Sequence, residues 1–214
     1  MNNISPILDF SLSNSNNGTL FDTRDGQTYK VVKIGNQIWL AENFRYLPSI
    51  KEKGDLYENS WVYENNNDYL DLHYGRLYDF NTAMNIAPEG WKLPNNKDFE
   101  ELRDFIIKDN NLGEDKNSND NTVGSYLKFI EGWNTFEGII NNDKYGFSAK
   151  PAGYFYNSCY FNNKYDTSLW SYLKNNSNGL NFWNLYYNCE DFTNYGFIIN
   201  SNNYGLSVRL IKNS

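Results

Sequence analysis

Between Tyr145 and Ile211 the chain passes through five short apolar and aromatic runs. They are Tyr145–Tyr156, Leu169–Leu173, Phe182–Asn188, Phe192–Ile199 and Gly205–Ile211, separated by Asn, Ser and Gly. Runs this short at this spacing predict a curled antiparallel sheet. A second sheet signal stands near the start. Thr28–Ile34 is β-branched and aromatic, Gly35-Asn36 supplies a two-residue turn, and Gln37–Ala41 follows. That is a β-hairpin pattern, because a Gly-first loop matches the twist of its strands. Asp25-Gly26 marks a turn just before it.

One segment reads clearly as a helix. Phe99, Leu102, Phe105 and Ile106 recur at spacings of three and four and form one apolar stripe. Asn95 stands where an N-cap accepts from the helix backbone, and Asp98 offsets the positive helix end. The spacing predicts a helix over Asn96–Lys108. Arg76–Asn85 predicts a shorter helix, stopped by Pro88 and Gly90, and Gly124–Ile130 a short helix or turn. Residues 49–73 are polar with scattered aromatics and read as a long loop with one short strand near Trp61–Tyr63. Residues 1–18 are Ser- and Asn-rich and read as a flexible leader, which leaves 19–214 as one domain. Hairpin, helices and then strands make an α+β protein, which pairing of the last strand with the first hairpin would close.

Composition removes several functional classes. Aromatics reach 18%, with 18 Tyr, 14 Phe and 6 Trp, so the chain is not disordered throughout. No apolar stretch of about 18 residues exists, so no transmembrane helix is expected. A net charge of −7 argues against a nucleic-acid partner, which needs a basic face. No basic amphipathic helix suits a membrane surface. Met1–Asn17 lacks the basic start and apolar run of a secretory signal, so the expectation is either an intracellular protein or a chain without its leader. The two cysteines, Cys159 and Cys189, are too few for a disulfide framework or a zinc site and leave one bridge or two free thiols open.

Several blocks resemble a bacterial paralogous domain first described as abundant in Fibrobacter succinogenes. They are Asp22–Tyr29 (DTRDGQTY), Val32–Asn43 (VKIGNQIWLAEN), Tyr74–Tyr78 (YGRLY), Ala87–Pro94 (APEGWKLP), Gly132–Asn134, Tyr145–Ala149 (YGFSA), Gly153-Tyr154 and Tyr204–Arg209 (YGLSVR). They stand in the family's order and cover about Thr19 to Lys212. The resemblance implies a C-type-lectin-like fold, with paired N- and C-terminal strands, two flanking helices and a second sheet carrying long loops. It implies an exported or surface-anchored setting and no established activity. Family members often carry Cys where this chain has Ala87 and Leu210, a pair that would bridge the helical region to the last strand, and near Val62 and Leu72. All four are apolar here, so packing replaces any bridge. The loss also fits a reducing compartment.

An enzyme is not expected. Trp91–Glu101 is distantly similar to a block of the formylglycine-generating enzymes, which share the fold class. Their reactive cysteines lie close together, whereas Cys159 and Cys189 are 30 residues apart. The one histidine, His73, has no nucleophile motif beside it and reads as structural. Glu100-Glu101 reads as a solvated helix face, and Glu190-Asp191 carries no spacing that marks a catalytic pair. A calcium lectin is not expected either. Trp133-Asn134-Thr135 has Thr where the lectin pattern has an acid, and Asp22 and Asp25 are better explained by a turn.

A calcium-independent, cofactor-free binding surface remains. Flat aromatic faces stack on sugar rings, and Asn amides both donate to and accept from hydroxyls. The C-terminal third interleaves the two, which makes Trp170, Tyr172, Asn181, Trp183, Asn184, Tyr186, Tyr187, Asn194 and Tyr204 the candidate ligand-binding residues. The expected function is non-enzymatic recognition of a glycan or protein, with a structural or display module of a surface or virion assembly as the alternative.

Overall fold

The first hairpin and the last strand meet in one sheet. The computed structural model describes residues 9–13, 16–47, 60–66, 68, 74–112, 122–173, 180–196 and 203–213. In chain order the described elements are β1 (Asp9–Leu12), β2 (Asn17–Asp22), β3 (Gln27–Ile34), β4 (Gln37–Leu40), β5 (Ser60–Trp61), β6 (Leu77–Tyr78), α1 (Phe80–Asn85) and β7 (Trp91–Lys92). They continue with α2 (Asn96–Asp109), α3 (Val123–Leu127), β8 (Tyr154–Tyr156), β9 (Cys159–Phe161), β10 (Asp166–Tyr172), β11 (Leu180–Tyr186), β12 (Thr193–Gly196), β13 (Tyr204–Ser207) and β14 (Ile211–Lys212). The protein is therefore α+β, with sheet predominating. One sheet runs β1-β2-β3-β4-β14-β7, and Ile211 pairs with Trp39. The other runs β12-β11-β10-β13-β6-β5, with the β8–β9 hairpin attached through β13.

Two apolar cores lie on opposite faces of these sheets. Val31 and Val32 are neighbours on β3 and so point to opposite faces. Both are buried, Val31 with Leu20, Leu40 and Trp170, and Val32 with Trp39, Phe99 and Trp183. The α2 stripe fills the latter core through Phe99, Leu102 and Ile106. Ala87 and Leu210 share the other core, where a cysteine pair would otherwise sit, and Val62 is buried. Leu72 and His73 lie outside the described residues.

Helix α2 starts where its cap residues dictate. The Asn95 side chain accepts from the Asp98 backbone N–H at 3.1 Å, and an Asp98 carboxylate oxygen accepts from the Asn95 N–H at 2.8 Å. This reciprocal box satisfies two of the donors a helix start leaves open. Asn95→Ala should lower the unfolding free energy by about 1 kcal/mol in a urea titration. An unchanged midpoint would mean that the cap contributes nothing.

Four segments differ from the sequence reading. Asp9–Leu12, within the expected leader, is a strand paired with β2, because Asn16 at φ 63° turns the chain back. Arg76–Asn85 is not one helix. Leu77-Tyr78 is a strand against β13, and Asp79 caps a helix that begins only at Phe80. Tyr145–Gly153 is not strand, because Gly146, Ser148 and Gly153 all take positive φ. The Gly205–Ile211 run is split at Val208–Leu210, where the chain passes from one sheet to the other and turns Arg209 inward.

Candidate functional site

The site forms where one sheet face runs out of apolar residues. In the β10–β11 pair, Asp166 faces Tyr186, Ser168 faces Asn184 and Trp170 faces Phe182. Alternation puts these six side chains on one face and Leu169, Trp183 and Leu185 on the other. At the Trp170 end the face is closed. Phe80 packs edge-on at 5.4 Å, and the indole N–H donates to the Tyr78 carbonyl at 2.6 Å. At the Asp166 end the β8–β9 hairpin and Tyr204 lie over it and leave a cavity of about 320 Å³.

The floor is polar and deeply buried. Asp166 is 1% exposed, Asn184 2% and Ser168 4%. The walls are Tyr154, Tyr156, Phe182, Tyr186 and Tyr204, with Asn162 and Leu206 completing the lining. Gly153 makes the hairpin possible. It sits at φ 64°, and a Cβ there would lie 2.1 Å from the Phe161 carbonyl oxygen. Tyr156 and Tyr204 pair across strands and stack at 4.3 Å, so two walls brace each other.

Polar satisfaction on the floor is incomplete. Asn162 donates to one Asp166 oxygen at 2.7 Å, while Oδ1 has no partner among the described residues. The Asn184 amide N–H donates to the Ser168 hydroxyl at 2.7 Å, and its Oδ1 is likewise unpaired. Burial pushes the Asp166 carboxyl up to about 7, against which the Asn162 bond acts only weakly. Tyr186 is pushed up to about 12 by burial and then by the Asp166 charge, and Tyr154 is raised for the same reasons, so both present neutral hydroxyls. The arrangement offers hydrogen-bond acceptors without their donors, enclosed by flat aromatic faces.

Of the nine residues nominated from sequence, three line this cavity: Asn184, Tyr186 and Tyr204. Trp170 and Trp183 are corrected to core. Both are fully buried, and Trp183 packs on Phe99 and Phe192 with its N–H on the Asn96 side chain. Asn181 is buried on the Trp183 face and caps the Phe182 N–H. Tyr172 packs at the far end of β10 against the Trp170 core. Tyr187 is half-buried against Tyr165 and Phe136, and Asn194 stands opposite Trp183 on β12. Asp166, Ser168, Tyr154, Tyr156 and Phe182 are additions. Their one sequence signal is the Asp-x-Ser alternation entering β10, which has meaning only once the β10–β11 register is known.

The other nominated chemistries are occupied structurally. Asp22 is fully buried, holds the Arg24 guanidinium at 2.6 Å and 2.8 Å, and closes the expected turn by accepting the Gly26 N–H on its backbone carbonyl at 2.8 Å. Trp133 donates to the Ala149 carbonyl. Cys159 is exposed at the β8–β9 turn, Cys189 is half-buried, and both are free thiols. Burial raises the Cys189 thiol, the opposite of nucleophile activation. Among the described residues no three His, Cys, Asp or Glu side chains cluster as metal ligands, and no helix is long and apolar enough to cross a membrane.

The model of the family described as the Fibrobacter succinogenes major domain matches residues 32–212. No curated protein and no solved structure matches the chain.

Proposed function

We propose, from the premise that this chain belongs to the Fibrobacter succinogenes major domain family, that it is a non-enzymatic module binding one sugar unit of a glycan in the cavity beneath the β8–β9 hairpin. The observation that carries the reading is the convergence of Asp166, Ser168 and Asn184 on a floor walled by four tyrosines and Phe182. Small-molecule sites combine apolar walls with a few converging polar groups. A volume of about 320 Å³ is at the small end of the roughly 300–1,000 Å³ such sites span and suits one ring rather than a chain of them. Carboxylate and amide oxygens take hydroxyl protons, and tyrosine faces stack on the sugar's C–H surface. Calcium has no part in the proposal, because a single carboxylate among aromatic rings is a poor match for six to eight oxygen ligands. A C-type-lectin-like architecture belongs to the same proposal, supported by the Trp39–Ile211 pairing of hairpin and last strand.

The test is calorimetric titration with a panel of monosaccharides and short oligosaccharides. Tyr204→Ala and Asn184→Ala should each weaken the best binder about tenfold or more, the equivalent of one lost stacking or hydrogen-bonding contact. Circular dichroism would check that both variants stay folded. Undiminished affinity in both variants would move the ligand elsewhere. A chain that binds no saccharide and self-associates with rising concentration would instead be the display or assembly module.

A further inference from the structure

We propose that the group seated on the cavity floor is a primary ammonium, so that the sugar recognised is an amino sugar with its nitrogen unsubstituted. This rests on the binding reading above and narrows it to one ligand chemistry.

Among the described residues Asp166 has no counter-charge. Asp166 is 1% exposed, and among the described residues its one side-chain hydrogen bond comes from the neutral amide of Asn162 at 2.7 Å. No lysine, arginine or histidine among the described residues pairs with it, although six ion pairs form elsewhere. The groups around it are uncharged: Tyr154 from β8, Tyr186 and Asn184 from β11, and Tyr204 from β13. The charged side chains nearest in sequence among the described residues, Lys164 and Lys150, and the nearest acids, Asp143 and Glu190, lie outside the lining. A buried carboxylate is normally paired with a cation or neutralised by a proton. Here only the proton is at hand, and burial holds it on the carboxyl to near-neutral pH.

Three chemistries compete for this position. A neutral hydroxyl donates one proton and leaves the carboxylate charge buried. A calcium ion finds one carboxylate where it needs several oxygens. An ammonium brings the opposite charge and three donors, enough for Asp166 Oδ1 and the unpaired Asn184 Oδ1 together. The walls favour it as well, because tyrosine and phenylalanine faces attract cations. An acetylated nitrogen loses both the charge and two of the donors. On binding, the ammonium takes the place of the proton on Asp166, which leaves to solvent below the pH where the carboxyl ionises.

The experiment compares glucosamine, glucose, N-acetylglucosamine and n-butylamine on the full chain near pH 7 by calorimetry. Glucosamine is expected to bind at least tenfold tighter than glucose and N-acetylglucosamine. Asp166→Asn should erase that preference while circular dichroism stays unchanged. The wild-type preference should also shrink severalfold from about pH 7 to about pH 5, as the carboxyl takes up its proton. This second readout needs no variant. Equal binding of glucose and glucosamine, lost in Tyr204→Ala, would overturn the ammonium assignment and leave the sugar reading standing. Butylamine binding as tightly as glucosamine, with no glucose binding, would uphold the ammonium and remove the sugar. A preference that survives in Asp166→Asn would overturn the assignment of the charge to that residue.

Discussion

Arg209→Ala should destabilise the fold by about 3–5 kcal/mol, a large share of the roughly 5–15 kcal/mol that holds an ordinary domain together. Arg209 is fully buried. Its guanidinium donates to the Leu40 carbonyl at 3.1 Å, to the Phe147 carbonyl, and to the Asn43 side-chain oxygen at 2.8 Å, and it lies over the Phe147 ring at 4.5 Å. These partners come from the first hairpin and the segment just after it, and from the irregular segment after α3. Arg209 itself stands where the chain crosses between sheets, so one side chain ties three separate parts. Burial works against its charge, and Asp143 and Glu42 act in the opposite sense. Removing it leaves the Leu40 and Phe147 carbonyls and the Asn43 side-chain oxygen without this donor, and a cavity besides. Arg209→Lys should recover only part of the loss, because one ammonium on a flexible stem cannot reach the same spread of acceptors. The measurement is the urea midpoint of both variants at constant m. A loss under about 1 kcal/mol for alanine would show that the carbonyls find other donors.

Arg209 closes the Tyr204–Arg209 block, Asn43 closes the Val32–Asn43 block, and Phe147 lies within Tyr145–Ala149. Three blocks far apart in sequence thus converge on one buried guanidinium. Asp22 and Arg24, which stand before the matched residues 32–212, pair with each other, and Arg24 also donates to the Ile86 carbonyl at 2.9 Å. The residues of these blocks hold separate parts of the fold together, and the cavity floor of Asp166, Ser168 and Asn184 lies outside the blocks.

Local patterns were legible because their causes are local. The Gly35-Asn36 turn and the Asn95–Asp98 box each act within a few residues, and both elements begin and end about where those signals stand. Arg76–Asn85 misled because Leu77 and Tyr78 also suit a strand, and β13, more than 120 residues on, decides the matter. The site was only partly legible for the same reason. Trp170 and Trp183 sit on opposite faces of adjacent strands, and each face carries its own core, so both indoles are buried. Aromatic and asparagine content located the right third of the chain without locating the right face. Asp166 carries only the Asp-x-Ser alternation, which has no meaning until the β10–β11 register is known. Its importance lies in what surrounds it, five aromatic rings from three strands and no cation among the lining residues.

That isolation gives Asp166→Asn a stability signature of its own. The carboxyl is held at about 7 in the folded chain against an ordinary 3.8. The folded state therefore binds the proton more tightly than the unfolded state. Stability is highest below the unfolded value and is lost as pH rises through about 7. A shift of about three units corresponds to roughly 4 kcal/mol. Asparagine cannot ionise, so it removes this dependence. It keeps an acceptor for Asn162 but places an NH₂ where Oδ1 has no partner, which costs about 1–3 kcal/mol. At about pH 4 the variant should be equal to wild type or weaker. From there the difference should move in its favour by roughly 4 kcal/mol and level off above about pH 7, leaving a net gain of about 1–3 kcal/mol. Denaturant titrations of both proteins across that range measure it. A difference independent of pH would show that the carboxyl is not protonated in the folded chain, or finds a cation there. A substitution that strengthens the fold at neutral pH and weakens amine binding separates the two roles a buried residue can have. A structural aspartate is missed by the fold when it is replaced, whereas one kept for a ligand is missed only by the ligand.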